Sequence, residues 1–552
     1  MQDTKESYES KKNLLREFKE GKFDKKKYKA FLLFLKENIK RDLKEHQKKA
    51  AFHLYLAQNG ANFSVPGSGK TTVILSVYEK LRIEGKVDTL FVIGPPASFG
   101  PWKHEFQETL GRMPKYQVLA GGDKNTRKLE YYPSATNKSE LYLSTFHTAL
   151  NDQHEIINLF KSIHIKAFLV VDEAHYIKQL DGNWANAILN ISRGSVVRSV
   201  LTGTPIPKSY GDLFNLFDFL WPDNKPIDNA SKHRILALEK EKQNQQVKDI
   251  LDEKIGSFFY RVRKNDLELT KPVFHEPIII EMNKYEKIIY EAIENKIKDN
   301  TNYDNYNDIE LVLRLRRGRL IRLRQTISYA GLLKTAIEGY EESLYDEKSD
   351  IAKYINDYNK NEVPGKIEYL LKILAEFKNK KEKVVIWSNF VGTIELINTI
   401  LNEKGFNSKK IYGKTPIQQT TVSDEEGREE IRNEFVDKNS GLDILIANPA
   451  ACAESISLHT TCHNAIYYDL SYNCAQYLQS LDRIHRIGGS EKVSSHYYFL
   501  QYKNTFENDI KDSLEKKAEK MYGLIDQDYT IYNLDMFEDD ETSAYERLFK
   551  IK

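Results

Sequence analysis

The chain has 552 residues, of which 40% are hydrophobic and 29% charged, so it can form several domains with substantial cores. Lys and Arg number 82 against 80 for Asp and Glu, so overall charge cannot steer an anionic partner, which local clusters would have to hold. Three cysteines without close spacing argue against a disulfide framework and a zinc site. The longest apolar run near the N-terminus, FLLFL, is too short for a membrane span, so we expect a cytoplasmic protein with no membrane partner.

Residues 1–42 are rich in Lys and Glu and carry apolar residues at helical spacing, namely Phe31, Leu32, Leu35 and Ile39. This spacing predicts an amphipathic helix that leads into the first domain.

Over residues 43–222, short apolar runs end in turn or polar residues and alternate with helix-like stretches. The runs are TLFVIGPP, LYLSTF, FLVVDEAH and SVLTGTP. Such runs are typical of parallel strands that are buried on both faces and carry functional loops at their carboxyl ends.

Residues 223–365 are rich in Lys, Glu, Asn and Tyr and are predicted to be mostly helical, with one strand candidate, PIIIEM. The strand–helix alternation returns over residues 366–520, in KVVIWSNF, DILIANPA, NAIYYDL and SHYYFL. Residues 521–552 form a C-terminal tail that contains the acidic run EDDE. The predicted fold class is therefore α/β, with two lobes built on doubly wound parallel sheets and helical insertions between them.

The segment SVPGSGKT, residues 64–71, has the residue order that wraps a phosphate. Glycines let backbone N–H groups approach the anion, a lysine supplies a point charge, and a hydroxyl holds Mg²⁺. The predicted ATP-binding residues here are Gly67, Ser68, Gly69, Lys70 and Thr71. The usual pattern begins with glycine where this chain has Ser64, and the alternative is a glycine-rich turn that merely contains a lysine.

Asp172 and Glu173 directly follow four apolar residues, at the carboxyl end of a predicted strand. Phosphoryl transfer needs one carboxylate to hold the metal and another group to orient the attacking water. Asp172 suits the first role, together with Thr71, and Glu173 suits the second. The alternative, an acidic turn after a strand, is common for an isolated Asp-Glu pair but not for one that follows a phosphate loop.

The segment QSLDRIHRIG, in the second predicted lobe, contains Gln479, Arg483 and Arg486. Because the two arginines are three residues apart, we expect them on one face of a helix. From there they could reach the γ-phosphate across a cleft and stabilise the charge that develops in the transition state. The alternative is a solvated basic helix.

In this order, these segments resemble superfamily-two helicases and translocases, and among them the Swi/Snf-type ATPases. LKEHQ, ending at Gln47, is similar to the adenine-reading segment of that family, and FVIGPPASFGPWKHEF matches a family spacing through Trp102, Glu105 and Phe106. LTGTPIPKSYGDLFNLFDFLWP is an especially specific match, and LDRIHRIGGSEKV is among the segments that match the second core domain of the family. The resemblance implies two RecA-like lobes that bind ATP and Mg²⁺, with Gln47 and Gln479 among the ATP-binding residues.

The chain departs from the family in two places. The fifth motif reads ANPAACAESISLH, with Ala453 and Ser455 where the family has glycines. DLSYNCAQ has Tyr472 and Cys474 where the family usually has Trp and Pro. The first departure puts the coupling between hydrolysis and movement in doubt.

Six arginines lie in the segment RLRRGRLIRLR: Arg314, Arg316, Arg317, Arg319, Arg322 and Arg324. On a helix, Arg317 and Arg324 share one stripe and are candidates for contacts with DNA phosphates. The alternative, weighed equally, is an amphipathic helix with Leu313, Leu320 and Leu323 in the core. The family resemblance adds backbone contacts with nucleic acid near four strand-end residues: Ser98, Thr145, Ser388 and Asn448.

The resemblance implies an ATP-dependent translocase that tracks along double-stranded DNA without separating the strands. One alternative is an RNA or single-strand helicase of the same superfamily. Another is a nucleotide-switched DNA sensor that recruits a protein partner such as a nuclease or a methyltransferase. Stand-alone relatives often occur in systems that act on invading DNA, so a role in defence is an expectation by analogy alone.

Overall fold

The computed structural model describes most of the chain. The described ranges are 5–121, 127–132, 138–178, 182–203, 209–299, 309–334, 350–416, 427–452, 456–525, 544–545 and 548–549. The chain divides into two compact units, and the division falls between Glu268 and Leu269, inside the region 223–365 that was predicted to be helical. Across the described ranges, no helix combines the length and the apolar character that crossing a membrane requires.

The first unit contains a parallel sheet. Its strands are β1 (Asn59–Asn62), β2 (Thr89–Ile93), β3 (Tyr116–Leu119), β4 (Leu141–Ser144), β5 (Ala167–Asp172), β6 (Val197–Leu201) and β7 (Phe259–Tyr260). They lie in the order β3-β4-β2-β5-β6-β1-β7, and every pair is parallel. The four apolar runs predicted as strands correspond to β2, β4, β5 and β6, and almost every residue in them is buried, as expected for strands covered on both faces.

Helices cover this sheet. They are α1 (Lys5–Lys19), α2 (Lys25–Asn38), α3 (Glu45–Ala57), α4 (Lys70–Ile83), α5 (Phe99–Leu110), α6 (Phe146–Asn151), α7 (Gln153–Lys161), α8 (Asn183–Ser192), α9 (Asp212–Leu220), α10 (Asn229–Lys240) and α11 (Asn244–Ile255). The predicted amphipathic helix is α2, which buries Phe31 and Leu35 as expected. It begins at Asp24, whose carboxylate accepts hydrogen bonds from two backbone N–H groups of the first turn.

The N-terminal helix α1 is part of the first unit. The ring of Tyr8 stacks on Phe258, with ring centroids 5.0 Å apart, and meets the edge of Trp221 at the same distance. Lys19, at the other end of α1, donates to the carbonyl of Gly256 at 2.5 Å. Both ends of the helix are therefore fixed to the segment that follows α11.

The second unit contains another parallel sheet. Its strands are β8 (Val273–Phe274), β9 (Ile278–Ile280), β10 (Lys383–Trp387), β11 (Ser408–Ile411), β12 (Ile444–Ala447), β13 (Cys462–Tyr467) and β14 (His496–Tyr502). The order is β11-β12-β10-β13-β14-β8, and β9 pairs with the far end of β14. The strand predicted from PIIIEM is β9. The four runs predicted after residue 365 are β10, β12, β13 and β14, so the α/β fold class with two doubly wound lobes is confirmed.

The helices of the second unit are α12 (Lys284–Asp299), α13 (Ile309–Tyr329), α14 (Asp350–Asn361), α15 (Gly365–Lys380), α16 (Val391–Glu403), α17 (Arg428–Val436), α18 (Pro449–Cys452), α19 (Cys474–Leu481) and α20 (Glu507–Ile525). A buried ion pair joins α15 to α20, because the Lys366 ammonium donates to Glu507 at 2.6 Å. The same ammonium donates to the carbonyl of Tyr468 at 2.9 Å, just after β13, which ties both helices to the sheet.

Candidate functional site

The phosphate loop lies between β1 and α4. Gly69, directly before α4, has φ +82°, a left-handed conformation that glycine adopts without strain. The Lys70 ammonium donates to the carbonyls of Ser64 and Val65, at 3.0 and 3.5 Å. Ser64 stands where the usual pattern has glycine, and its hydroxyl accepts a hydrogen bond from the Val262 N–H at 3.0 Å. The hydroxyl therefore anchors the start of the loop to the segment that follows β7.

Gln47, predicted to contact adenine, lies against the phosphate loop. Its amide nitrogen donates to the carbonyl of Ser68 at 3.1 Å, and its amide oxygen accepts from the Lys44 N–H at 2.9 Å. A β-carbon added to Gly69 would lie within 3.0 Å of that amide nitrogen and 3.3 Å from the adjoining carbon. A β-carbon at position 69 would therefore displace the Gln47 side chain from the position it has against the loop.

The acidic pair lies where β5 ends, in the middle of the sheet. The carboxylate of Asp172 accepts one hydrogen bond at each oxygen, from the Trp102 indole N–H at 2.9 Å and from the Glu173 N–H at 3.0 Å. Burial raises the pKa of the Asp172 carboxyl to about 6. The Glu173 carboxylate adds to that rise, and the Trp102 hydrogen bond opposes it.

Glu173 has φ 49° and ψ 52°, a left-handed backbone that is uncommon outside glycine and costs about 1–3 kcal/mol. Its carboxylate lies 3.3 Å from Nδ1 of His175. The surrounding structure must stabilise this backbone, which sets the direction of the Cα–Cβ bond. Strain of this kind is concentrated at functional sites.

The residues at this edge fit a magnesium ion. The Thr71 hydroxyl and the Asp172 carboxylate are hard oxygen ligands, the type that Mg²⁺ prefers. Burial makes the ionised Asp172 costly, as its raised pKa shows, so a cation beside it would be stabilising. The buried Ser68 hydroxyl has no hydrogen-bond partner among the described residues. It can therefore form a hydrogen bond with a ligand bound in the loop.

The structure places the predicted arginines differently from the sequence analysis. Helix α19 ends at Leu481, so Arg483 and Arg486 lie in the turns beyond it, and the prediction that they share a helix face is wrong. The hydroxyls of Ser490 and Ser495 donate to the carbonyl of Ile484 at 3.1 and 3.0 Å. Directly after the helix, the Arg483 N–H donates to the carbonyl of Ser480 at 3.2 Å and the Ile484 N–H to that of Leu481 at 3.4 Å, so the chain continues in tighter turns. Gln479 lies within α19 and is half-buried.

Both arginines contact the fifth motif itself, at residues just after its two substituted positions. Arg486 donates to the Ser457 hydroxyl at 2.9 Å, and Arg483 donates to the Ile456 carbonyl at 3.4 Å. Arg432 of α17, which sequence reasoning missed, donates to the Ser457 carbonyl at 3.2 Å. Burial, with Arg486 nearby, lowers its pKa. The substituted positions 453 and 455 lie outside the described residues.

The four residues predicted near nucleic acid lie in loops after strand ends: Ser98 after β2, Thr145 after β4, Ser388 after β10 and Asn448 after β12. Their side chains shape those loops. Ser98 donates to the carbonyl of Pro95 at 2.9 Å, and Thr145 accepts from the backbone N–H of Thr148 at 3.0 Å, at the start of α6. Contacts with nucleic acid near these loops stay a prediction.

In the second unit, the loops after β10 and β13 meet at Asp469, a residue that sequence reasoning missed. Its buried carboxylate accepts hydrogen bonds from Ser388 at 2.5 Å, from Ser328 at 2.7 Å, and from the backbone and side-chain nitrogens of Asn389 at 2.8 Å each. The side chain of Asn448 donates to the carbonyl of Asn389 at 2.9 Å. The two predicted residues of this unit therefore belong to one hydrogen-bonded group.

The arginine-rich segment forms α13. Leu320 and Leu323 are buried, as the amphipathic alternative expected, while the side chain of Leu313 lies outside the described residues. Arg317 is exposed, whereas Arg324 exposes only 6% of its surface and places its guanidinium 5.5 Å from the ring centre of Phe390. Of the two predicted phosphate contacts, only Arg317 is on a solvent-accessible face.

The chain is similar to known proteins along most of its length. The model of the SNF2-related domain matches residues 24–336, and that of the helicase conserved C-terminal domain matches residues 365–488. The chain is 26% identical over 509 residues to the ATP-dependent DNA helicase DDM1 of Arabidopsis thaliana, covering 88% of this chain and 62% of that protein. It is 24% identical to the uncharacterized ATP-dependent helicase MG018 of Mycoplasma genitalium, covering 91% of this chain but 44% of that protein. The solved SWI2/SNF2 ATPase core of Sulfolobus solfataricus in complex with dsDNA is 20% identical, with a TM-score of 0.39, covering 93% of this chain and 96% of that one.

Proposed function

The chain belongs to the SNF2-related family, and from this premise we propose that it hydrolyses ATP to move along duplex DNA without separating the strands. The observation that carries the ATPase proposal is the pairing of a phosphate loop with the carboxylates of Asp172 and Glu173 at the end of β5. The printed names of two relatives, both ATP-dependent helicases, support the use of ATP. The chain spans about half the length of those relatives. We therefore base the proposed activity on the residues of this chain.

In this proposal the phosphate loop holds the triphosphate. The backbone N–H groups from Gly67 to Thr71, with the N-terminus of α4 behind them, supply donors and a positive dipole end. The Lys70 ammonium exchanges its carbonyl contacts within the loop for phosphate oxygens. Gln47, already fixed against Ser68, faces the adenine.

Thr71 and Asp172 would hold the magnesium ion. When bound with ATP, such an ion neutralises charge on the β- and γ-phosphate oxygens. Glu173 orients the attacking water, from a position directly after Asp172 at the end of β5. Arg483 and Arg486 are assigned to the γ-phosphate, where positive charge stabilises the transition state.

Movement along DNA is proposed to use phosphate and sugar contacts at the strand-end loops near Ser98, Thr145, Ser388 and Asn448. Contacts of this kind position a protein on the duplex without reading bases, so no sequence preference is expected from the motor. Arg317 adds an exposed cation to the proposed surface. Each duplex phosphate that is neutralised lowers affinity by about 0.9 log units per decade of salt.

Substitution of Glu173 by Gln tests the catalytic assignment. The amide keeps the size of the side chain but cannot orient and deprotonate water as a carboxylate does, so ATP binding should persist while most turnover is lost. Equilibrium binding of a fluorescent ATP analogue and steady-state hydrolysis measure the two properties separately. Lys70→Ala is the contrasting variant, since it should weaken binding itself. A Glu173→Gln protein that hydrolyses ATP at the wild-type rate would refute the assignment.

Two further assays separate translocation from strand separation. Displacement of a third strand from a triplex requires movement along a duplex, whereas release of one strand from a forked duplex requires unwinding. We expect ATP-dependent activity in the first assay alone. Unwinding would instead indicate a helicase, and neither activity, with slow hydrolysis, would indicate a nucleotide-controlled switch that recruits a partner.

A further inference from the structure

Helix α5 contacts the carboxylate that is proposed to hold magnesium. The indole N–H of Trp102 donates to Oδ2 of Asp172 at 2.9 Å, and Trp102 exposes only 1% of its surface. The other oxygen, Oδ1, accepts the Glu173 N–H at 3.0 Å. With one donor on each oxygen, the rotation of the carboxylate is fixed.

One turn further along α5, Glu105 contacts the residue next to the other proposed metal ligand, Thr71. Its Oε1 accepts a hydrogen bond from the Thr72 hydroxyl at 2.5 Å and lies 2.9 Å from the guanidinium of Arg41. Thr72 directly follows Thr71, the proposed hydroxyl ligand of the ion. Because Trp102 and Glu105 are three residues apart, they lie on the same helix face. That face bonds to Asp172 and to Thr72, the neighbour of Thr71.

The hydrogen bond of Trp102 is not a general consequence of burying tryptophan in this fold. Trp221 and Trp387 are both fully buried, and the indole N–H of each has no hydrogen-bond acceptor among the described residues. Burial of a tryptophan in this protein therefore does not by itself give its N–H an acceptor. The N–H of Trp102, in contrast, donates to a carboxylate. Gly94 leaves room for the start of α5 to approach the end of β5. A β-carbon at this position would lie 3.0 Å from the Ser98 hydroxyl and 3.2 Å from the β-carbon of Asp172.

We infer that Trp102 and Glu105 are positioning residues, through which α5 fixes the Asp172 carboxylate and the Thr71–Thr72 turn in the relative orientation that a magnesium ion bound with ATP requires. Neither residue touches the nucleotide or the ion. Trp102 acts through Asp172, a proposed metal ligand, as hydrogen-bond partners of metal ligands commonly do. Glu105 acts through Thr72, the chain neighbour of the proposed ligand Thr71. The inference rests on the proposed function.

The test measures magnesium dependence of nucleotide binding in the full-length protein, with Trp102→Phe as the main variant. Phenylalanine keeps an aromatic ring in the core but removes the N–H donor. A fluorescent ATP analogue is titrated with excess chelator and then at rising free Mg²⁺. We expect the half-saturating Mg²⁺ concentration to rise about 10–100-fold, the range found when partners of metal ligands are removed, with unchanged affinity under chelator.

Trp221→Phe is the matched control, because it shortens an equally buried tryptophan in the same unit whose N–H has no acceptor among the described residues. It should leave the magnesium midpoint at the wild-type value. An unchanged midpoint in folded Trp102→Phe would overturn the positioning role and leave Trp102 with packing alone.

If Trp102→Phe does not fold, Glu105 carries the same test, since its side chain is 17% exposed and its loss leaves the core filled. Glu105→Ala should raise the magnesium midpoint, and Glu105→Gln, which keeps an acceptor for Thr72, should recover part of the shift. Equal midpoints in all three proteins would overturn the inference. Failure of the wild type to bind the analogue with magnesium would instead refute the proposed function, so the two failures are distinguishable.

Discussion

Gly69→Ala tests whether the phosphate loop and Gln47 are built as one unit. Gly69 has φ +82°, and an added β-carbon would lie within 3.0 Å of the Gln47 amide nitrogen. Gln47 would have to move by about 1 Å to reach an ordinary contact distance, which breaks its 3.1 Å hydrogen bond to the Ser68 carbonyl. The left-handed backbone adds about 1–2 kcal/mol for any residue with a β-carbon, and the lost hydrogen bond adds about 1 kcal/mol.

Gly85→Ala separates these two costs. Gly85 has φ +68°, so alanine there carries the same backbone strain, but a β-carbon would meet no atom within 4 Å. We expect Gly69→Ala to lower the free energy of unfolding by about 1 kcal/mol more than Gly85→Ala does. We also expect nucleotide affinity to fall by about tenfold or more in Gly69→Ala and to stay unchanged in Gly85→Ala. Equal affinities in the two variants would show that Gln47 and the loop do not depend on each other for binding.

Three further predictions concern one residue each. Arg486→Ala should lower the hydrolysis rate by about 10³–10⁵ with intact ATP affinity, as measured by single-turnover kinetics, and a rate within tenfold of wild type would contradict its role. Asp469→Ala leaves several buried donors without an acceptor and should lower the free energy of unfolding by about 3 kcal/mol, whereas a change no larger than that of exposed Asp512→Ala would contradict this. Burial lowers the pKa of His53 to about 3, so its contribution to stability is present above pH 6.5 and is lost as pH falls. Between pH 7 and 5 this loss is about 2 kcal/mol, which His53→Gln should remove from the pH dependence of unfolding.

The sequence was sufficient to predict the strands and the positions of the polar residues that follow them. Parallel strands buried on both faces are continuous apolar runs, and their carboxyl ends carry the polar residues, so β5 and Asp172 were both readable from FLVVDEAH. The phosphate loop was readable because glycine, lysine and threonine must occur in a fixed order there. Local physical requirements of this kind leave a local pattern.

Other features depend on contacts between distant residues. The spacing of Arg483 and Arg486 favoured a helix, but the helix ends at Leu481, and the hydroxyls of Ser490 and Ser495 hold the carbonyl of Ile484 in the turns that follow. Nothing in the spacing of those serines indicates that contact. The hydrogen bond from Trp102 to Asp172 joins residues 70 positions apart. A family spacing drew attention to Trp102, but only the structure shows what its N–H contacts.

The arginine-rich helix illustrates the same limit. Arg317 and Arg324 fall on one stripe of α13, and periodicity alone treats them alike. Phe390, which precedes α16, covers Arg324 and leaves Arg317 exposed. Which part of a helix face is covered by a neighbouring element is a property of the tertiary packing.

Steady-state ATP hydrolysis tests the central claim most directly. It should be measured alone and with blunt duplex DNA, single-stranded DNA or RNA, with Lys70→Ala as the background control. The account predicts strong stimulation by duplex DNA and little by the other two, with no activity above background in Lys70→Ala. Hydrolysis that only single strands or RNA stimulate would contradict the duplex translocase, and slow hydrolysis that ignores every nucleic acid would contradict a DNA-driven motor altogether.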